Sequence, residues 1–127
     1  LNGYMLSSYS ARKLGMQSTG NAGGNHNLIV SHGDLDLNGL LKMMGTGLLV
    51  TELLGHGINM VTGDYSRGAA GFWVENGLIV HPVEEITIAG NLQTMLKQIV
   101  AVGNDVLVQG SKQVGSILIE NMTVAGD

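Results

Sequence analysis

Twenty glycines against a single proline constrain this chain of 127 residues more than any other feature. A residue without a Cβ reaches positive φ freely and packs nothing, so glycine at this density marks tight turns and close backbone approaches between short elements. The glycines keep no three-residue period, which excludes a collagen-like fibre. Hydrophobic residues make up 44% and charged residues 13%, so a core can form and the composition argues against disorder. Aromatics stand at 4%, which leaves Leu, Ile, Val and Met to build that core. The length suits one domain. The expected fold class is α+β, a predominantly antiparallel β-sheet domain with two or three short helices.

The local signals order the chain. Residues 7–14 read as a helix capped by Ser7 or Ser8 and stopped by Gly15. A loop over residues 18–25 follows, then a short strand over residues 27–31. Asp34 or Asp36 caps a helix over residues 37–44 that Gly45 closes, with Gly39 as a weak point inside it. Residues 48–54 and 58–62 are two apolar runs joined by Gly55-His56-Gly57, a hairpin-length connection. Residues 70–75 and 78–83 flank Asn76-Gly77, whose two positions accept the positive φ that a tight hairpin requires. Pro82 points to a strand terminus or an edge. Residues 86–89 add a strand, and Asn91 caps a predicted helix over residues 92–102, where Leu92, Met95, Leu96, Ile99, Val100 and Val102 recur at helical steps. Strands over residues 106–108, 116–119 and 122–124 close the chain.

Composition also excludes functions. A net charge of −4 with only six basic residues argues against an electrostatic grip on nucleic acid. No apolar run approaches the roughly 18 residues that a membrane helix needs. With no cysteine, disulfides, Cys-ligated zinc and cysteine nucleophiles are all removed, which fits a cytosolic chain. The first residues carry no signal-peptide pattern. A chain beginning with Leu1 reads as a piece of something longer, whose upstream part holds further chemistry.

Most chemistry-bearing residues have a plain reading. His26, His32, His56 and His81 lack the His-Glu-x-x-His spacing that sets two imidazoles on one helical face, and each reads as a loop or strand-end residue. Ser10, Ser18, Thr19, Ser66 and Ser111 lack a Gly-x-Ser-x-Gly elbow. Glu84 and Glu85, adjacent in a strand, would face opposite ways and not converge on one substrate. Gly45-Thr46-Gly47 lacks the lysine of a phosphate loop. Two segments stand out: Asp64-Tyr65-Ser66-Arg67 among small residues, and Arg12 ahead of Thr19-Gly20-Asn21. Glycines let a peptide backbone come close, and an Arg there can hold a carboxylate or a carbonyl. A bulge carrying a surface Arg is the other reading.

At these same segments the sequence resembles a known family. Tyr9-Ser10-Ala11-Arg12-Lys13-Leu14-Gly15 followed by Ser18-Thr19-Gly20-Asn21-Ala22 is similar to the start of the C-terminal domain of the TldD/PmbA metallopeptidases, also called modulators of DNA gyrase. Gly45 to Glu52, the long run from Val61 to Gly77, and Pro82 to Asn91 resemble the PmbA branch, or TldE. Gly103-Asn104-Asp105 and Met122 to Gly126 extend the match over nearly the whole chain.

The resemblance implies that residues 1–127 are the C-terminal domain of one subunit, with the upstream domain absent from this chain, in a cytoplasmic two-subunit metallopeptidase that degrades or matures unfolded peptides. In the TldD-type subunit an upstream His-Glu-x-x-x-His motif and a C-terminal-domain cysteine bind zinc. The lack of cysteine here makes this the non-metal-binding PmbA/TldE-type subunit, so no catalytic residue, metal ligand or cofactor is expected in the chain itself. Zinc is expected on a TldD-type partner. Partnership with that subunit or self-association is implied, with peptide as substrate and neither nucleic acid nor membrane as a direct partner. Arg12, Thr19, Asn21, Asp64 and Arg67 are the candidate peptide-binding or interface residues. An assembly scaffold whose sheet edges only join subunits is the alternative.

Overall fold

The computed structural model describes residues 2–126; Leu1, where the sequence reading places the cut start of the chain, and Asp127 lie outside the described residues. The chain forms two compact units. The smaller comprises Leu1–Val30 with Val108–Gln113, and the larger Ser31–Leu107 with Val114–Asp127.

In the smaller unit, α1 (Ser8–Leu14) begins at a reciprocal cap: the Ser7 side chain accepts from the Ser10 amide and the Ser10 side chain from the Ser7 amide. Gly15 ends it at φ 66°, the left-handed conformation that favours glycine. Leu6 and Ala11 are the buried side chains here. The predicted strand over residues 27–31 shortens to β1 (Leu28–Ile29), which pairs in parallel with a strand the sequence did not announce, Lys112–Val114. A third strand, Leu107–Gln109, completes this small sheet.

The larger unit carries the main sheet. α2 (Leu37–Met44) starts at Asp36, whose carboxylate accepts from the Gly39 amide at 2.8 Å, and ends at Gly45. β2 (Gly47–Leu54), β3 (Asp64–Glu75) and β4 (Leu78–Asn91) then run antiparallel in consecutive order. The Asn76-Gly77 hairpin forms as expected, with φ of 51° and 76°. The strands on either side are longer than predicted, and residues 86–89 belong to β4 and not to a separate strand. β4 runs through Pro82, which therefore marks no terminus. It does lie where β4 has, among the described residues, β3 alone as a partner, since the last strand, Thr123–Ala125, meets β4 at residues 87–89.

The second predicted hairpin does not form. Residues 58–62 make no strand: the Asn59 side-chain oxygen accepts from the Val61 and Thr62 amides, and the Gly63 amide bonds back to the Asn59 carbonyl. This side-chain-closed turn competes with strand pairing and wins. It leaves one bridge, Ile58 to Tyr65, so β2 pairs with β3 instead. The helix after Asn91 is also shorter than expected. α3 (Leu92–Lys97) ends at Gln98, and residues 99–102 form β5 (Ile99–Val102), antiparallel to β8 (Ile117–Ile119). Ile99, Val100 and Val102 are β-branched and favour a strand. Leu96, at 68% exposure, shows that the periodic face had no core to meet. In chain order, Leu107–Gln109 is β6, Lys112–Val114 is β7 and Thr123–Ala125 is β9.

The core sits on one face of the main sheet, where Ala69, Ile86 and Ile88 are buried against Leu48, Val50, Tyr65, Val83 and Met122. At the level of Ala70 and Gly71 both neighbours of β3 carry an extra residue, Thr51 in β2 and one of Glu84 and Glu85 in β4, so the sheet bends there. The predicted alternation of Glu84 and Glu85 fails at this bulge. Glu85 takes φ 55°, and both carboxylates are exposed.

Candidate functional site

The five residues singled out from the sequence fall into two groups, one in each unit. Arg12 is an exposed residue in the last turn of α1, where its charge complements the helix dipole. Thr19 stitches the following loop to the segment before α1. Its side chain accepts from the Leu6 amide at 2.7 Å and bonds the Asn21 side chain, while its own amide donates to the Leu6 carbonyl at 3.1 Å. Ser18 donates to that same carbonyl at 2.9 Å. These polar groups hold the loop against its own chain, and Asn21 is exposed.

In the larger unit, Asp64 closes the turn that starts β3. Its carboxylate accepts from the Thr62 hydroxyl at 2.9 Å and from Asn91 Nδ2 at 3.5 Å, and Asn91 also donates to the Thr62 carbonyl at 3.1 Å. With its backbone groups so engaged, this turn carries Met60 and Val61 at its tip, 83% and 95% exposed. Arg67, three residues on, is half-buried. It does hold a main-chain carbonyl, but one of its own chain: Nη2 donates to Gly55 at 2.8 Å. Its Nε is buried and has no partner among the described residues. The loop it braces lies close, because the Ser66 amide donates to the Gly57 carbonyl at 2.7 Å and a Cβ at position 57 would collide with the Ser66 carbonyl.

All four histidines are exposed, and His32 and His81 bond to the carbonyls of Gly33 and Pro82 beside them. Among the described residues, no three His, Cys, Asp or Glu side chains gather as a metal site would need.

Two features lay beyond sequence reasoning. The first is Asp105, whose carboxylate accepts from the Ser116 hydroxyl at 2.5 Å and the Ser116 amide at 3.0 Å. The Ser116 hydroxyl, and then backbone amides, hold its pKa below the ordinary 3.8 despite an opposing effect of burial. A folded pKa below the unfolded one means that this pair stabilises the fold above about pH 3.8 and that the contribution is lost as pH falls through the folded value. Asp105→Asn should therefore be less stable than wild type at neutral pH, the two melting temperatures converging in acid. Curves parallel across the whole range would contradict this. Nothing in the sequence marked the pair, since Ser116 reads there as the first residue of a strand.

The second is an apolar groove of about 610 Å³ in the larger unit, lined by α2, the start of β2, β8 and the segment leading to β9. Its walls are mostly Leu, Ile and Met, and among the described residues Glu120 is its one charged lining residue.

A family profile described as the PmbA/TldA metallopeptidase C-terminal domain matches residues 1–126. The chain is 58% identical over 126 residues to the Metalloprotease PmbA of Escherichia coli O157:H7, and 56% identical over 128 residues to the Metalloprotease PmbA homolog of Haemophilus influenzae. These alignments take in 99% and 100% of this chain but 28% of each relative. The chain thus spans under a third of the length of the curated relatives it matches. Among solved structures, it resembles a protein of Thermotoga maritima described as a modulator of a DNA gyrase, with a TM-score of 0.87 and 42% identity over 98% of this chain and 31% of that one. A similarly described protein of Bacteroides thetaiotaomicron matches with a TM-score of 0.88 and 37% identity over 99% and 28%.

Proposed function

This chain belongs to the PmbA/TldD metallopeptidase family, matching its C-terminal domain, and from that premise we propose that it is part of the non-metal-binding PmbA/TldE-type subunit of a cytoplasmic two-subunit peptidase, where it helps to shape the cleft for an unfolded or short peptide. The observation that carries this reading is a cysteine-free sequence that matches PmbA proteins along essentially its whole length. On this reading the hydrolytic water belongs to zinc on a TldD-type partner; the lack of cysteine and, among the described residues, of any three clustered His, Asp or Glu side chains supports it. This chain's own part is to bind and orient. Open sheet edges offer backbone donors and acceptors to an extended peptide, and Arg67 offers N–H groups beyond the one spent on Gly55.

Arg67→Ala in the full-length subunit tests this. Loss of the Gly55 bond should cost about 1 kcal/mol of stability. Peptide cleavage by the assembled pair should fall roughly tenfold, the effect of one charge-assisted contact of about 1.5 kcal/mol. Unchanged cleavage by an intact pair would overturn the assignment.

The alternative, an assembly scaffold, draws support from the exposed apolar run Leu78, Ile79 and Val80 on the hairpin arm. Peptide crosslinking to the strand around Gly63 to Phe72 separates the two, because a scaffold would label no better than background.

A further inference from the structure

Charge is divided unevenly between the two units. None of the ten Asp and Glu residues falls in the smaller unit, which holds three of the six basic residues, Arg12, Lys13 and Lys112. No carboxylate side chain of that unit is there to neutralise them, and all three are exposed. Two of them share one face of α1. Tyr9, Arg12 and Lys13 stand three and four positions apart, the spacing that makes side chains neighbours on a helix surface. The Lys13 ammonium lies 5.7 Å from the centre of the Tyr9 ring, which is itself 71% exposed. Ala11, on the opposite face, is the buried residue that seats the helix. Both ends of α1 are tied down. Ser7 and Ser10 cap its start, and past its end the Met16 amide donates to the Ala11 carbonyl at 2.8 Å. The cations therefore project from a fixed backbone. Tyr4, Met5, Leu14 and Met16 of the same unit are each about half exposed, so apolar surface accompanies the charge.

We propose that this face of α1 docks an acidic peptide segment, with carboxylates on Arg12 and Lys13 and an apolar side chain laid against Tyr9. The inference rests on the peptide-handling reading above and deepens it by naming the substrate class: segments in which Asp or Glu alternates with apolar residues. The planar fork of an Arg matches a carboxylate, and a face of one sign turns basic segments away. Lys112, exposed at the start of β7, adds to the positive charge of the unit. Nucleic acid fits less well, because three cations neutralise few phosphates and the chain as a whole carries −4. A second copy of the chain also fits less well. Its carboxylates are dispersed over the larger unit, and those of Asp36, Asp64 and Asp105 are engaged in caps and turns there. A peptide can bring its carboxylates to the spacing that the helix face sets.

Fluorescence anisotropy with the full-length subunit that carries this domain tests the proposal, using labelled hexapeptides of alternating Leu and Glu, Leu and Gln, or Leu and Lys. The Glu peptide should bind about fivefold more tightly than the Gln peptide, the combined effect of two exposed ion pairs, and the Lys peptide more weakly than either. Raising the salt from about 0.15 M to about 1 M should erase this order, because the Debye length falls to about 3 Å. Arg12→Gln with Lys13→Gln should make the Glu and Gln peptides equal. Arg12→Glu with Lys13→Glu should reverse the order in favour of Lys. Equal binding of the Glu and Gln peptides by wild type would overturn the proposal, as would a preference that survives both double substitutions. Self-association that competes with the Glu peptide and is lost in the same variants would also overturn it and give the face to a second copy. A single-stranded oligonucleotide that outcompetes the Glu peptide at Arg12 and Lys13 would overturn it in favour of nucleic acid. Cleavage of the three peptides by the reconstituted pair is the separate readout. A pair that cleaves all three with equal KM sinks this inference and leaves the peptidase reading intact. An inactive pair whose Arg12 and Lys13 still select the Glu peptide does the reverse.

Discussion

Gly71→Ala is expected to destabilise the chain by about 3 kcal/mol or more, at the upper end of what forced overpacking costs. Gly71 lies in the middle of β3, buried, at the level where both neighbouring strands carry a bulge. The bend brings the Leu49 carbonyl so close that a Cβ at position 71 would overlap its oxygen, and the backbone of Val50 stands just behind. Neither obstacle is the end of a flexible side chain, so relief requires moving β2 itself. Urea unfolding followed by circular dichroism checks this. Gly23→Ala, at a position with open space and no positive φ, serves as the control and should stay within about 0.5 kcal/mol of wild type. A Gly71→Ala midpoint equal to that of the control would show that the sheet is not pinched at this point.

Ile86→Ala should cost about 3 kcal/mol, inside the range for deleting three buried carbons from a core that only partly collapses. Ile86 is 7% exposed and packs with Ala69 and Ile88 in a cluster too small for a neighbour to fill the space left. Leu78→Ala, eight residues earlier on the same strand, removes as many carbons at 70% exposure and should shift stability by no more than about 0.5 kcal/mol. Equal losses at the two sites would mean that the hairpin arm is covered in solution, which is the outcome the scaffold reading would expect.

Where a local group decides the structure, the sequence was legible. Ser7, Asp36 and Asn91 begin helices because their side chains satisfy amides one turn ahead, and Asn76-Gly77 turns the chain because both residues sit at positive φ. Pairing between distant segments was not legible. The apolar run after α3 has the same residues whether it coils or extends, and its partner β8 at residues 117–119 decides the matter. β7 reads Lys-Gln-Val and carries no apolar alternation, so only its parallel partner β1 makes it a strand. The Asn59 turn was missed because a run of Ile, Met and Val outweighed one Asn in the reading, although that Asn holds two amides.

The site follows the same division. Arg67 stood out in the sequence as a lone cation among small residues, but its partner Gly55 is twelve residues away and its burial depends on the sheet. Thr19 and Asn21, singled out as peptide-binding or interface candidates, bond one another, and Thr19 ties the loop to Leu6. The groove exists only once the fold brings α2, β2 and β8 together over the main sheet.

The central claim is that this domain serves a peptidase whose metal chemistry lies on another subunit. Its most direct measurement is peptide cleavage by the full-length subunit that carries this domain, assayed alone, with a full-length TldD-type subunit, and beside that subunit alone, with zinc quantified in each separated chain. The account predicts cleavage by the pair only, with zinc recovered in the partner. Cleavage by the PmbA/TldE-type subunit alone, with zinc bound stoichiometrically to it, would contradict the account.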